Sequence, residues 1–153
     1  ISDRVAILND GVVNQVGQPE DLYDRPASEF VASFLGSGNV LTGQIVESDL
    51  ERVVVETNGY RFVVKGSADR GLSVKYTVKP EDIILTLDVK KGTPTAAVIS
   101  VVPRIGTYRI TLDFKGQTIV ASVPDESLAH KLRSIKVAEV GFRFNDESVV
   151  LLD

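Results

Sequence analysis

The stretch that decides the fold is residues 108–123, which read YRITLDFKGQTIVASV. Apolar side chains alternate with polar ones from Tyr108 to Phe114 and again from Ile119 to Val123, on either side of a Lys-Gly-Gln turn. A period of two places every second side chain on one face of a β-strand. The sequence therefore predicts a β-hairpin with one buried face.

A second hairpin is predicted closer to the N-terminus. Residues 53–56 and 60–64 are rich in β-branched and aromatic side chains, and Asn58-Gly59 between them is a strong turn signal. In the other direction, Pro124-Asp125-Glu126 predicts the start of one helix, in which Leu128 and Leu132 share a face.

An internal repeat links residues 76–85 with residues 142–151. Both stretches contain an aromatic residue, an alternating strand, an acidic turn and an apolar strand. We therefore predict two similar β units, about 42–88 and 95–153, which gain stability by sharing a core. The predicted fold class is mainly β, with one OB-type barrel or a pair of them. Two alternatives stay open. The fold is an open sandwich, or the repeat reflects only the general similarity of β meanders.

The N-terminal 38 residues have a different character. Val5–Leu8 and Val12–Gly17 flank an Asn-Asp-Gly turn, and a short helix is predicted from Pro19 to Arg25. A second helix is predicted from Ser28 to Leu35, before a Gly-Ser-Gly joint. We predict a short α/β appendage over 1–38 and a separate β domain over 39–153.

The composition restricts the classes of function that the chain can have. Asp and Glu outnumber Lys and Arg 21 to 17, for a net charge of -4, which argues against a nucleic-acid partner. The chain has no cysteine, so disulfides and thiolate metal sites are excluded. No apolar run approaches the roughly 20 residues that span a bilayer. The chain starts with Ile rather than Met, and we expect further sequence upstream.

Residues 2–11, 15–27 and 30–36 read SDRVAILNDG, QVGQPEDLYDRPA and FVASFLG. This order resembles the end of the nucleotide-binding domain in ATP-binding subunits of ABC importers of the maltose, polyamine, ferric-iron and molybdate group. Residues 39–153 resemble the transport-associated OB-type regulatory domain that follows there. Val78-Lys79-Pro80-Glu81-Asp82-Ile83 is similar to its internal turn, which usually carries Arg where Lys79 stands.

The resemblance implies a parent chain that is an ABC-type ATPase using ATP and Mg²⁺. That parent would lie on the cytoplasmic face of the inner membrane, bound to membrane-spanning permease subunits, with its regulatory domains paired as a homodimer. The sequence itself contains no Gly-x-x-x-x-Gly-Lys-Ser/Thr phosphate loop, ABC signature or acidic Walker B strand. We therefore expect this chain not to be an enzyme by itself, with no catalytic, cofactor-binding or metal-binding residue.

Two groups of residues are candidates for a ligand site or an interface. Lys90 and Lys91, with nearby threonines at 93 and 95, are chemically suited to a small oxyanion, and a solvated linker is the simpler interpretation. Arg104, Thr107 and Tyr108 are candidates for a pocket or an inter-subunit contact, and a plain hairpin connection is the alternative.

Other chemistry-bearing residues have simpler structural interpretations. His130 is the only histidine, which favours a surface residue over a metal ligand or a triad member. The pairs Glu81-Asp82 and Asp146-Glu147 are interpreted as turn formers.

Two function hypotheses follow. The first is a regulatory and dimerisation domain of an importer ATPase subunit. The second is a domain that senses a small anion or the transported substrate and inhibits transport. A regulatory protein is a further possible partner, and an independent hydrolase is disfavoured because no nucleophile and base pair is visible.

Overall fold

The computed structural model describes residues 4–25, 38–134, 139–145 and 147–152. Strands dominate these residues, as the period-two pattern predicts. The chain divides into two compact units, each with most of its contacts inside itself. The first comprises residues up to 57, 61–78 and 149 onwards, and the second comprises 58–60 and 79–148.

The N-terminal segment is a hairpin followed by a short helix: β1 (Val5–Asn9), β2 (Val12–Gly17) and α1 (Pro19–Asp24). Both predicted elements are confirmed, with Pro19 in the first helical turn. Asp10 and Gly11 have φ angles of 51° and 78°, as a tight hairpin turn requires. Ile7 and Leu22 bury their side chains against each other. The helix predicted from Ser28 to Leu35 lies outside the described residues.

The rest of the described chain is built mainly from strands. In chain order these are β3 (Asn39–Ser48), β4 (Arg52–Thr57), β5 (Tyr60–Lys65), β6 (Ser73–Val78), β7 (Ile83–Thr86), β8 (Thr95–Arg104), β9 (Thr107–Phe114), β10 (Gln117–Val123), β11 (Glu139–Phe144) and β12 (Val150–Leu151). A 3-10 turn, Pro80–Asp82, precedes β7. The predicted helix is α2 (Glu126–Ser134), which packs on β8 and β9.

The two units have the same strand order. The first sheet runs β12-β6-β3-β4-β5, and the second runs β7-β11-β8-β9-β10. In each sheet one of the two edge strands comes from the other half of the sequence. Strand β7 follows β6 along the chain but pairs with β11, whereas β12 follows β11 but pairs with β6. The prediction of two similar OB-type units is confirmed, and the chain exchanges the last strand between them.

The strand registers confirm the repeat residue by residue. Leu151 lies opposite Tyr76 in the first unit, and Leu85 lies opposite Phe142 in the second, as the alignment of 76–85 with 142–151 predicts. The long first hairpins also correspond. Each has an irregular register, between Ile45 and Glu47 in β3 and between Val98 and Ser100 in β8.

Each unit buries its own apolar face. In the first unit Leu41, Ile45, Val55 and Tyr76 are at most 1% exposed. Gly43 lies among them, and a Cβ there would approach Val55 Cγ1 to 2.6 Å, so only glycine fits this close strand contact.

The second unit is packed around a cluster of aromatic and aliphatic side chains. Its fully buried members include Ile110, Leu112, Phe114 and Phe142, with the rings of Phe114 and Phe142 edge to face at 4.8 Å. Ala129 of α2 closes this core. The predicted alternation from Tyr108 to Phe114 therefore separates a core face from an outer face, as expected.

Candidate functional site

The two predicted groups of site residues lie near opposite ends of one strand. Lys90 and Lys91 precede β8, whereas Arg104 ends it and pairs with Thr107 across the hairpin. A strand of 10 residues spans roughly 30 Å. The structure therefore does not bring the two groups into a single site.

The lysines of the connection face solvent. Lys90 Nζ lies 3.9 Å from a carboxylate oxygen of Asp88, and both side chains are about four-fifths exposed. An exposed pair of this kind contributes little to stability. The geometry of Lys90 and Lys91 is that of a solvated linker, and their role in ligand binding stays a prediction.

The second unit contains a pocket beside this connection. Its volume is about 270 Å³, just below the roughly 300 Å³ at which the range typical of small-molecule sites begins. Nine residues line it: Asn58, Gly59, Tyr60, Gly92, Thr93, Pro94, Thr95, Phe114 and Lys115. The sequence pointed to the threonines at 93 and 95, but it gave no indication that Asn58, Tyr60 and Lys115 join them.

Two hairpin turns build one wall of this pocket. Asn58 and Lys115 both have positive φ angles, 49° and 50°, and each is followed by a glycine. The Asn58 side-chain amide donates to the Phe114 carbonyl at 2.9 Å, and Lys115 Nζ donates to the Asn58 carbonyl at 3.3 Å. These bonds join residues 56 and 57 positions apart in the sequence.

The aromatic floor of the pocket is anchored in the core of the second unit. The Tyr60 hydroxyl accepts a hydrogen bond from the Phe144 amide at 3.3 Å, and the Tyr60 ring packs on Phe142 at 5.7 Å. Phe114 is 2% exposed beneath them. The floor is therefore fixed by packing and does not depend on a ligand for its shape.

The opposite rim carries hydroxyl groups. The Thr93 amide closes a turn on the Lys90 carbonyl at 3.0 Å, and the Thr95 hydroxyl donates to the Glu139 carboxylate at 3.4 Å. Lys115 supplies an ammonium group to the pocket lining, whereas the Glu139 carboxylate is bound to the lining residue Thr95. An anion that binds beside Thr95 must therefore tolerate the negative charge of Glu139.

A second hollow, of about 290 Å³, lies in the first unit beside the β3–β4 hairpin. The residues that line it are Glu47, Ser48, Asp49, Arg52, Val53, Val54 and Val63. The Asp49 carboxylate accepts hydrogen bonds from the amides of Glu51 and Arg52 at 2.9 and 2.8 Å. These bonds hold the pKa of Asp49 below its ordinary value.

Histidine chemistry is not supported at the one position available. His130 is exposed on α2, with its Nε2 3.3 Å from the Glu126 carboxylate one turn away. Its ring lies 6.5 Å from that of Tyr108. Among the described residues, no group of three or more His, Cys, Asp and Glu side chains is placed to hold a metal ion. Likewise, none of the described helices is long and apolar enough to cross a membrane.

The acidic pairs behave as turn residues where the structure describes them. Glu81 and Asp82 lie in the 3-10 turn before β7, and the Asp82 amide closes that turn on the Lys79 carbonyl at 3.0 Å. Glu147 has a positive φ of 62° in the corresponding turn before β12. Its neighbour Asp146 lies outside the described residues.

The doubled sheet defines a class of protein, the small OB-type β domains. The structure is similar to a crystal structure of the cytoplasmic molybdate-binding protein ModG with molybdate bound, with a TM-score of 0.59. That similarity covers 74% of this chain and 94% of the other, at 17% sequence identity. At this identity the likeness shows the fold alone.

Sequence comparison goes further than the fold. The chain is 33% identical over 132 residues to the sn-glycerol-3-phosphate import ATP-binding protein UgpC 2 of Agrobacterium fabrum. It is therefore homologous to an ATP-binding subunit of an ABC importer, and the resemblance to such subunits is confirmed. The match covers 84% of this chain but 34% of the relative, so the chain spans about a third of the relative's length. No family model matches the chain.

Proposed function

We propose that this chain is the regulatory and pairing domain of an importer ATPase subunit, and that it has no ATPase activity by itself. One observation carries the proposal. The homology to an importer ATP-binding protein extends over most of this chain, yet the chain has no phosphate-binding loop, ABC signature or Walker B strand. The homologous part is thus separate from the sequence that binds nucleotide in such subunits.

Pairing has a simple physical benefit for such an ATPase. Two nucleotide-binding domains that must meet on every cycle gain from a permanent link, because the link raises the effective concentration of each domain near the other. ATP and Mg²⁺ would bind to the nucleotide-binding domain and not to the residues described above.

The expected setting follows from the same homology. The parent subunit would lie on the cytoplasmic face of the inner membrane and bind the membrane-spanning permease subunits. A signal that binds this domain would alter transport only if it prefers one state of the ATPase pair over the other.

The test compares a full-length importer ATPase that carries this sequence with a version that ends at residue 38 of the present numbering. We expect the shortened version to lose pairing in the absence of ATP, and its ATPase rate to depend more steeply on protein concentration. Sedimentation velocity and ATP turnover measure the two effects. Unchanged pairing and turnover after the truncation would refute the proposal.

The pocket of the second unit favours a second candidate function, the sensing of a small anion. Lys115 supplies an ammonium group, Thr93 supplies a hydroxyl group, and the floor is preformed. Calorimetric titration with molybdate, tungstate, sulfate and phosphate, and with a polyamine as the opposite charge, tests it.

The variant Lys115→Asn is suited to this titration because asparagine keeps the turn but removes the ammonium group. We expect Lys115→Asn to abolish anion binding, whereas changing both Lys90 and Lys91 to alanine leaves it intact. The reverse result would move the site to the β7–β8 connection. If none of the anions gives a heat of binding, the sensing function is refuted.

A further inference from the structure

We propose that the tip of the β8–β9 hairpin of one copy inserts into the hollow beside the β3–β4 hairpin of a second copy. The inference rests on the proposed pairing of two copies and assigns the surfaces that make it. It identifies Ile105 as the inserted side chain and the wall formed by Val54 and Val63 as its receptor.

The inserted element is an apolar side chain held away from the body of the second unit. Ile105 is 104% exposed, at the turn where β8 passes into β9, and Gly106 beside it has a φ of 76°. Val102 on the same hairpin is 40% exposed. Burying this isoleucine in a partner would be favourable, because the transfer of an apolar side chain out of water lowers the free energy.

The receptor has the dimensions and lining for one or two side chains. Its volume of about 290 Å³ lies just below the roughly 300 Å³ of the smallest typical small-molecule sites. Val63 in its wall is 57% exposed, so the hollow offers an apolar surface to a partner. Val54 beside it is half-buried.

Charge selects a second copy as the occupant. The segment 101–112 around the tip contains two arginines, Arg104 and Arg109, and no carboxylate. The segment 47–52 around the hollow contains three carboxylates and one arginine, and all six of its residues are exposed. Opposite net charges on two surfaces speed their encounter and fix their orientation.

The internal duplication explains how one chain carries both surfaces. The β3–β4 and β8–β9 hairpins are equivalent elements of the two units, yet one has become acidic with a hollow and the other basic with a projecting isoleucine. In a two-fold dimer, a contact between two different surfaces of the chain is made twice. Each copy would then supply one tip and one hollow.

The experiment measures self-association of the whole chain by sedimentation equilibrium over a range of concentrations, at low and high salt. We expect a dimer that weakens with salt. Ile105→Ser removes the inserted side chain, and Val63→Lys fills the hollow with a cation. Each substitution is at an exposed position, and we expect each to weaken the dimer at least about tenfold.

Mixing the two variants gives the sharper result. A mixed dimer retains one intact contact, between the tip of the Val63→Lys chain and the hollow of the Ile105→Ser chain. We therefore expect the mixture to associate more tightly than either variant alone. Arg104→Glu should associate more weakly than the wild type, and the association of this variant should no longer weaken with salt.

The control is Val12→Ser, which removes an apolar side chain of similar exposure (65%) on the N-terminal hairpin and should leave the dimer unchanged. A wild-type dimer that ignores Ile105→Ser and Val63→Lys would overturn the assigned contact while leaving the pairing function standing. A wild-type chain that stays monomeric at every concentration would overturn both. Circular dichroism melts verify that each variant is folded.

Discussion

The hydroxyl of Tyr76 is fully buried and lies 2.8 Å from Thr57 Oγ1, which also donates to the Thr42 carbonyl at 3.1 Å. The equivalent positions of the second unit hold Phe114 and Phe142, whose rings meet edge to face. At equivalent core positions, the first unit therefore has a hydrogen bond and the second unit has an aromatic pair. A sequence pattern of buried and exposed positions predicts both sites but not this difference.

Removing the Tyr76 hydroxyl tests the hydrogen bond. Tyr76→Phe should lower the free energy of unfolding by about 1 kcal/mol, because one buried hydrogen bond is lost while the ring remains. Urea denaturation measures it. Tyr108→Phe, at a half-buried position on the β8–β9 hairpin, is the control and should change stability by less than about 0.5 kcal/mol. An equal effect of both substitutions would show that the buried bond contributes nothing special.

Asp49 gives stability a dependence on acid. Backbone amides lower its pKa in the folded state, so its contribution is present above its ordinary pKa of 3.8 and is lost as pH falls through the lower folded value. Asp49→Asn keeps an acceptor oxygen for the same amides but no longer titrates. We expect the variant to be less stable than the wild type at neutral pH, with the gap closing in acid, as measured by urea denaturation at several pH values. A gap that stays constant with pH would contradict this role.

Tight turns are the elements that the sequence predicted best. Asp10-Gly11, Asn58-Gly59 and Lys115-Gly116 all adopt positive φ angles at both residues, and each was predicted from its glycine and its flanking alternation. What they do together was not predictable. The pocket wall forms because Asn58 meets Phe114, a contact between hairpins 56 positions apart that leaves no periodic signal.

Lys115 is the least suitable residue at these turns. A lysine at a φ of 50° pays a steric penalty that asparagine largely avoids. Lys115→Asn should therefore raise the free energy of unfolding by up to about 0.5 kcal/mol, because the relief of strain outweighs the loss of the exposed 3.3 Å bond from Lys115 Nζ to the Asn58 carbonyl. Asn58→Lys is the matched opposite: it should destabilise, since it adds the strain and removes the 2.9 Å bond to the Phe114 carbonyl. Thermal melts of the two variants that shift in the same direction would refute the argument.

The exchange of the last strand is a property of the whole chain. The repeat of residues 76–85 in residues 142–151 predicted a strand, a turn and a second strand in each copy, and this is confirmed. Nothing in the local pattern states with which sheet the second strand pairs, because both outer positions accept a short, mainly apolar strand. Sequence therefore predicted the units but not the swap that makes each of them depend on the other half of the chain.

The swap has a direct consequence for truncation at the C-terminus. Residues 149–153 follow the second unit in sequence but complete the first unit, where Leu152 donates to the Lys75 carbonyl at 2.9 Å. A chain that ends at Ser148 should therefore lose amide protection in β6 and β3, because the outer edge of the first sheet is opened to water. Hydrogen exchange read residue by residue measures it.

The same experiment separates the swap from its alternative. If β12 belonged to the unit that precedes it in sequence, the truncation would expose β11 and β7 and leave β6 protected. Leu152→Pro provides a full-length control, since proline lacks the N–H that Leu152 donates to the Lys75 carbonyl but leaves the chain length unchanged. We expect it to reproduce the loss of protection in β6 to a smaller extent. Protection lost equally across both sheets would mean that the two units open as one, and that the exchanged strands couple their stabilities completely.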